Sequence, residues 1–117
     1  MQAAEVCLRT GLVNSAASRA YYAMFQAAQA ALEAAGFARP QLSHPALQAA
    51  LATELIYRRK LYPAVFRDDY LSTALRTRHV ADYGDTGITQ KVAGRAVRRA
   101  TAFVTAVEQE VSGARRT

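Results

Sequence analysis

The stretch SAASRAYYAMFQAAQAALEAAG, residues 15–36, is the strongest indication of fold class in this chain. Apolar side chains recur in it at steps of three and four, at Tyr21, Met24, Phe25, Ala28, Leu32 and Ala35. This spacing is that of one face of an α-helix. The alanines between the large side chains let a neighbouring helix approach closely, while the rings fill the gaps between turns. Gly36 predicts the end of this helix, and Pro40 supports that end.

The rest of the sequence predicts a short leading helix and three longer ones, over residues 2–10, 44–62, 68–84 and 88–111. Gly11 is expected to end the first helix, and Asn14 to cap the one that follows. Ser43 or His44 is expected to cap the third helix, and Asp68 the fourth. The period-two alternation of a β-strand is absent, and the connections are short. We therefore predict one domain over residues 1–117, an all-α, antiparallel up-down bundle of four or five helices.

Two of these helices carry a predicted core face. In the third helix the apolar stripe comprises Leu47, Leu51, Leu55 and Ile56. In the last helix the core face comprises Ile88, Val92, Ala96, Phe103, Val107 and Val111. Another face of the last helix carries a basic stripe of Lys91, Arg95, Arg98 and Arg99. This stripe could attract an RNA backbone or dock an acidic partner, and a purely solvated face is the alternative.

The chain is strongly basic, with a formal net charge of +6 and a pI of about 10.0. Arginine suits phosphates and carboxylates better than lysine does, so nucleic acid or an acidic protein is a candidate partner. A GC-rich genome, which favours arginine and alanine codons, is the alternative explanation. Cys7 is the only cysteine, which excludes an internal disulfide and a cysteine-based zinc site. We expect a cytoplasmic protein with no signal peptide, membrane span, metal or cofactor.

The segment TALRTRHVADYGD, residues 73–85, concentrates polar side chains at a predicted helix end. Helical spacing places Arg78 and Asp82 on one face, where they can form an ion pair, and Arg76, His79 and Tyr83 on another. Cations near a helix C-terminus also complement the helix dipole. Ordinary surface charge at a helix end is therefore the alternative to a functional site.

The two signatures SRAYYAMF, residues 18–25, and RHVADY, residues 78–83, together resemble HEPN domains. These are small helical bundles of prokaryotic toxin–antitoxin operons and defence systems. The resemblance is to the branch that carries SRAYYAMF followed by R-x-x-ADY, and it extends over about residues 8–108. The segments TGLVNSA and LSHPAL are similar to that family as well.

The resemblance implies a homodimer in which the arginine-bearing helices of two protomers meet at a cleft. Many HEPN domains are metal-independent ribonucleases that use an arginine followed four to six residues later by a histidine. The histidine would act as general acid or base, and the arginine would stabilise the phosphorane. This chain departs from that motif, because positions 82 to 84 are Asp, Tyr and Gly, and His79 is adjacent to Arg78. Whether the protein is an enzyme therefore stays open.

The resemblance also implies candidate site residues. The candidate catalytic residues are Arg78, Asp82 and Tyr83. Tyr83 is also the candidate acceptor of AMP, since in related pairs a minimal nucleotidyltransferase modifies a tyrosine near the arginine motif. The candidate RNA or nucleotide contacts are Arg19, Arg76, His79, Arg95 and Arg99.

Each candidate has a plainer alternative. Tyr83 can be an interface tyrosine, and Arg19 can form a buried salt bridge within the chain. Tyr21, Tyr22 and Phe25 are expected in the core and interface and not as stacking platforms for bases.

Three functions remain open from the sequence. The first is the toxin-like component of a pair with a minimal nucleotidyltransferase, which acts on or binds RNA at the dimer cleft. The second is a non-catalytic module that binds a nucleotide, RNA or the nucleotidyltransferase. The third is a purely structural dimerisation domain.

Overall fold

The computed structural model describes residues 1–36, 44–51, 53–54, 70–84 and 87–116, and for residues 44, 45, 70, 72, 83 and 114–116 it describes the backbone but not the side chain. Within these ranges the chain forms five helices and no strand. They are α1 (Gln2–Arg9), α2 (Val13–Ala34), α3 (His44–Ala50), α4 (Tyr70–Tyr83) and α5 (Gln90–Arg116). The predicted all-α bundle is confirmed.

Helix α2 is the centre of the bundle and contacts each of the other four helices. Its buried residues are Ala16, Ala17, Ala20, Tyr21, Met24, Ala28, Ala31 and Leu32. The many alanines on this face explain how several helices approach α2 at once, because they occupy little space between the helix axes. The predicted face of α2 is confirmed: Tyr21, Met24, Ala28 and Leu32 are buried, and Phe25 and Ala35 pack against the core.

The buried face of α5 differs from the prediction. Phe103 and Val107 are buried as expected, but Val92 is exposed and Ala96 is only partly buried. The residues that do face the core in the first half of α5 are Ala93, Val97 and Ala100. The prediction weighted larger side chains, whereas here small residues face the bundle and permit close packing of α5 on α2.

Both ends of α5 also differ from the prediction, since the helix begins at Gln90 and ends at Arg116. Its start is explained by Thr89, whose hydroxyl oxygen accepts a hydrogen bond from the Val92 amide at 3.2 Å. This is the bond of an N-cap residue to the third residue of a helix.

Asn14 does not cap α2, which begins at Val13 without a side-chain cap. The Asn14 Oδ1 instead accepts a hydrogen bond from the Ile88 amide at 3.3 Å. Gly87, at φ +71°, lies directly against the Asn14 amide group, where a Cβ would approach within 3.0 Å. The Gln90 side chain in turn donates to the Leu8 carbonyl at 3.2 Å. The end of α1 and the start of α2 are therefore tied to the start of α5 and the residues before it.

The other predicted boundaries can be compared only in part. Gly11, at φ +81°, follows α1 as predicted. Helix α4 ends before Gly84 as predicted, and a Cβ at Gly84 would overlap the Val80 carbonyl oxygen. Leu47 and Leu51 are buried as expected. The predictions for Pro40, Ser43, Leu55, Ile56 and Asp68, and for the His44 side chain, lie outside the described residues.

Candidate functional site

The Arg78 guanidinium of α4 lies against two adjacent tyrosine rings of α2. Its Cζ is 4.8 Å from the centroid of the Tyr22 ring and 5.5 Å from that of the Tyr21 ring. Each distance is within the range of a cation–π interaction, which contributes about 0.5–1 kcal/mol at exposed sites and more where water is excluded. The two signatures noted in the sequence therefore meet in space at Arg78.

The ion pair predicted between Arg78 and Asp82 is present, with 3.4 Å between Arg78 Nε and Asp82 Oδ2. The Nε atom is buried and makes no hydrogen bond, so Asp82 acts on it mainly through its charge. Asp82 lies in the last turn of α4, where a carboxylate opposes the helix dipole. The carboxylate therefore does not stabilise the helix end, and its favourable contact is the one with Arg78.

The tyrosines beneath Arg78 form an aromatic cluster on α2. The rings of Tyr21 and Tyr22 are 5.6 Å apart in an edge-to-face arrangement, and Phe25 lies 6.0 Å from Tyr21. Burial raises the pKa of the Tyr21 phenol above its usual value; the Arg78 cation lowers it, and Tyr22 raises it slightly further. Burial has the largest effect, so the Tyr21 phenol stays protonated near neutral pH.

The cluster reaches the protein surface. The Arg78 and Asp82 side chains are 23% and 30% exposed, and Tyr22 is 48% exposed. A ligand can therefore approach the guanidinium from solvent, while the rings and the carboxylate restrict its movement. Such a held cation is suited to an anionic group, because little reorganisation is needed on binding.

A second surface lies on the other side of α4, along what we call the α4–α5 seam. It consists of two adjoining cavities that share Thr77 and Val92. The larger has a volume of about 290 Å³ and is lined by Arg76, Thr77, Val80, Gly87, Ile88, Thr89 and Val92. The smaller has a volume of about 80 Å³ and is lined by Met24, Thr73, Ala74, Thr77, Val92, Arg95, Ala96 and Arg99. Both lie at or below the lower limit of about 300 Å³ that is usual for small-molecule sites.

The predicted site residues divide between these surfaces. Arg78 and Asp82 lie together against α2, whereas Arg76, Arg95 and Arg99 line the α4–α5 seam. The separation of Arg78 and Asp82 from Arg76 agrees with the two faces of α4 predicted from helical spacing.

Arg19 and His79 are exposed and line neither cavity of the seam. The buried salt bridge considered for Arg19 is wrong, because its side chain lies at the surface. The backbone of Tyr83 ends α4, and its side chain lies outside the described residues.

The sequence did not reveal the partners of Arg78 on α2. Tyr22 was expected in the core or interface; in the single protomer it is exposed, and its ring contacts the Arg78 guanidinium. The sequence did contain a signal for this exposure. Adjacent residues on a helix point about 100° apart, so one tyrosine of the pair Tyr21–Tyr22 is expected to be more exposed than the other.

Two further properties bear on the kind of site. Among the described residues, no group of three or more His, Cys, Asp or Glu side chains is placed to hold a metal ion. None of the helices, over the part of the chain that is described, combines the length and apolar character needed to cross a membrane.

Comparison with known proteins completes the assignment. A search of the curated proteins and a search of the solved structures each found no match. The family model described as HEPN domain matches residues 1–110, which is most of the chain. These residues include both sides of the Arg78 contact, the tyrosines of α2 and the end of α4. The chain belongs to the HEPN domain family.

Proposed function

We propose that this protein is the toxin-like component of a HEPN–nucleotidyltransferase pair, and that it binds RNA at Arg78 in a cleft between two copies of the chain. The observation that carries the proposal is the placement of the Arg78 guanidinium between two tyrosine rings and a carboxylate, at a partly exposed position. Arginine in a fixed orientation is well suited to a phosphodiester, because its planar donors match two phosphate oxygens.

Two copies of the chain would complete the site. Tyr22 is nearly half exposed beside Arg78, and aromatic side chains of this kind are common in subunit interfaces. A two-fold axis near Arg78 would bring both guanidinium groups to one cleft and cover the exposed rings. Arg19 lies one turn before Tyr22 on α2, and the prediction that it contacts RNA belongs to this cleft.

Binding without efficient cleavage is the second candidate function, and a specific observation favours it. No histidine occupies the positions four to six residues after Arg78, and His79 is adjacent to Arg78 in the chain. Without a general base, the arginine can hold a phosphate and stabilise charge but cannot by itself remove the proton of a ribose hydroxyl. Asp82 is paired with Arg78, which leaves it poorly placed for that role.

The pairing with a minimal nucleotidyltransferase concerns Tyr83. Its position at the end of α4, five residues after Arg78, keeps it the residue on which we expect transfer of AMP. In that reaction the phenolic oxygen would attack the α-phosphorus of ATP, pyrophosphate would leave, and the phenolic proton would pass to a base of the nucleotidyltransferase.

The test of the RNA-binding site compares Arg78→Ala with Arg9→Ala, a matched change at an exposed arginine in the last turn of α1. We expect growth arrest on expression in a bacterial host, and binding of single-stranded RNA by fluorescence anisotropy, to be lost in Arg78→Ala and retained in Arg9→Ala. Arg78→Lys should remain impaired, because lysine keeps the charge but not the planar stack. Equal RNA binding by all variants would contradict the proposal.

Two further measurements separate the remaining parts of the proposal. Gel analysis of RNA after incubation should show it intact, and cleavage that disappears in His79→Ala would assign catalysis to that histidine. Mass spectrometry after co-expression with a minimal nucleotidyltransferase should show the mass of one AMP in the wild type and in Tyr22→Phe, but not in Tyr83→Phe. An unmodified wild-type chain would contradict the pairing and leave the RNA-binding result unaffected.

A further inference from the structure

The α4–α5 seam is a concave surface with an aliphatic floor. Val80 lies on one side and Val92 on the other, and they are 45% and 36% exposed. Ile88 lines the larger cavity, and Ala96 lines the smaller one. Exposed aliphatic residues gathered in a groove, and not scattered singly, are typical of a protein-interaction surface.

The seam exists because α4 and α5 each pack mainly on α2 and have few contacts with each other. Small and short side chains line the space between them, among them Thr73, Ala74 and Thr77. The opening is therefore a consequence of how the bundle is assembled around one central helix, and it does not require a second copy of the chain.

The charged side chains among the described residues that line the seam have a single sign. Arg76 lines the larger cavity, and Arg95 and Arg99 line the smaller one. No carboxylate is present among the described residues that line either cavity. The groove thus offers aliphatic contacts flanked at both ends by guanidinium groups, and a complementary partner must carry aliphatic side chains flanked by carboxylates.

We propose that the α4–α5 seam docks an acidic peptide segment of another protein, with aliphatic side chains seated on Val80 and Val92 and carboxylates paired with Arg76 and Arg95. The cavity volumes favour a peptide, because about 290 Å³ and 80 Å³ accommodate individual side chains and not a whole cofactor. Contact between the seams of two copies fits less well, since the arginines that line each seam would face one another.

RNA is the competing occupant, because the sequence predicts RNA contacts at Arg76, Arg95 and Arg99. Binding of single-stranded RNA usually depends on aromatic side chains on which the bases stack. In the described lining of the seam the side chains are aliphatic, small or cationic, and no ring is among them. The peptide proposal does not depend on the function assigned to Arg78, which lies on the opposite side of α4.

The experiment is selection of a random peptide library displayed on phage against the immobilised whole protein. We expect enriched peptides to combine leucine, isoleucine or valine with aspartate or glutamate. Binding of the most enriched peptide, measured by fluorescence anisotropy, should weaken about tenfold or more in Arg95→Glu and in Val80→Ser. The matched controls are Arg98→Glu, an exposed arginine of α5 outside both cavities, and Val6→Ser, a valine of α1 that is 43% exposed.

Several outcomes would overturn the proposal. They are the absence of enriched peptides, enriched peptides without acidic residues, and equal binding by seam and control variants. Binding of a single-stranded RNA oligonucleotide that is weakened by Arg95→Glu but not by Arg98→Glu, with no peptide enriched, would assign the seam to RNA. A dimer in sedimentation that dissociates in Arg95→Glu alone would assign it to a second copy. Circular dichroism establishes that each variant is folded.

Discussion

The two sides of helix α4 are built in opposite ways. On the side that faces α2, Arg78 already has partners within the protomer, two aromatic rings and a carboxylate. On the side that faces α5, Val80 and Val92 are exposed, and no carboxylate is among the described residues that line the seam. The first side is a pre-arranged site with limited freedom, whereas the second is an open surface with exposed aliphatic side chains and a basic lining. Binding at Arg78 should therefore depend on the orientation of the guanidinium, whereas binding at the α4–α5 seam should depend on charge and exposed apolar area.

The largest expected effect concerns a residue that supports both sides. Met24 is fully buried in the core, lies one turn from Tyr21 and forms part of the floor of the smaller seam cavity. Met24→Ala should lower the free energy of unfolding by about 2–5 kcal/mol, because it leaves a cavity beneath both surfaces. Urea denaturation measures this change, and Met24→Leu, which conserves volume, should cost less than about 1.5 kcal/mol. A small effect of the alanine variant would mean that the two sides do not share this support.

An intermediate effect is expected for the stack of Arg78 on Tyr22. A double-mutant cycle of Arg78→Ala and Tyr22→Leu should give a coupling free energy of about 0.5–2 kcal/mol, the range of a cation–π contact at a partly exposed site. Equilibrium unfolding of the four proteins provides the value. The same cycle for Arg95 and Val80 across the seam should give coupling close to zero. Equal coupling in both cycles would remove the distinction between the two sides.

A smaller effect, confined to alkaline pH, follows from the raised pKa of Tyr21. In the folded protein the phenol stays protonated at pH values where the unfolded chain, with a pKa of about 10, has ionised. The resulting stability is fully present below that value and is lost as the pH rises through the folded pKa. Unfolding followed against pH should show this loss in the wild type and not in Tyr21→Phe. In Arg78→Ala, ultraviolet titration should place the pKa of Tyr21 higher still, because the lowering effect of the cation is gone; a fall would contradict this.

The smallest effect is expected at the seam itself. Val80→Ser and Val92→Ser should change the free energy of unfolding by no more than about 0.5 kcal/mol, because both side chains are already exposed. Thermal unfolding of each variant against the wild type tests this. A loss of more than about 1 kcal/mol would show that the valines are packed within the protomer and are not part of an open surface.

Sequence reasoning succeeded where the relevant interactions are local. The buried face of α2 follows from a long, regular period, and the Arg78–Asp82 pair follows from a spacing of four residues on one helix. It failed at the first half of α5, where Val92 was expected in the core and Ala93 is buried instead. Val92 is larger than Ala93, but the size of a side chain alone does not decide which face of α5 packs against the other helices.

Several other differences arise from tertiary contacts. The contact of Arg78 with Tyr22 joins two helices that are distant in sequence, and no local spacing encodes it. Asn14 is a residue type that often caps a helix, but its Oδ1 accepts a hydrogen bond from the Ile88 amide instead. The two residues are far apart in sequence, so a local pattern does not reveal this contact. The exposed position of Arg19 likewise depends on how the helices pack and not on a local pattern.

The hydrogen bond from the Ile88 amide to Asn14 has a consequence for the kinetics of folding. Its partners are separated by 74 residues, so closing this contact requires most of the chain to be collapsed already. It is therefore expected to form after the transition state. Asn14→Ala should then accelerate unfolding while leaving the rate of folding almost unchanged. The Asn14 side chain would thus lengthen the lifetime of the folded state without changing the rate at which that state forms.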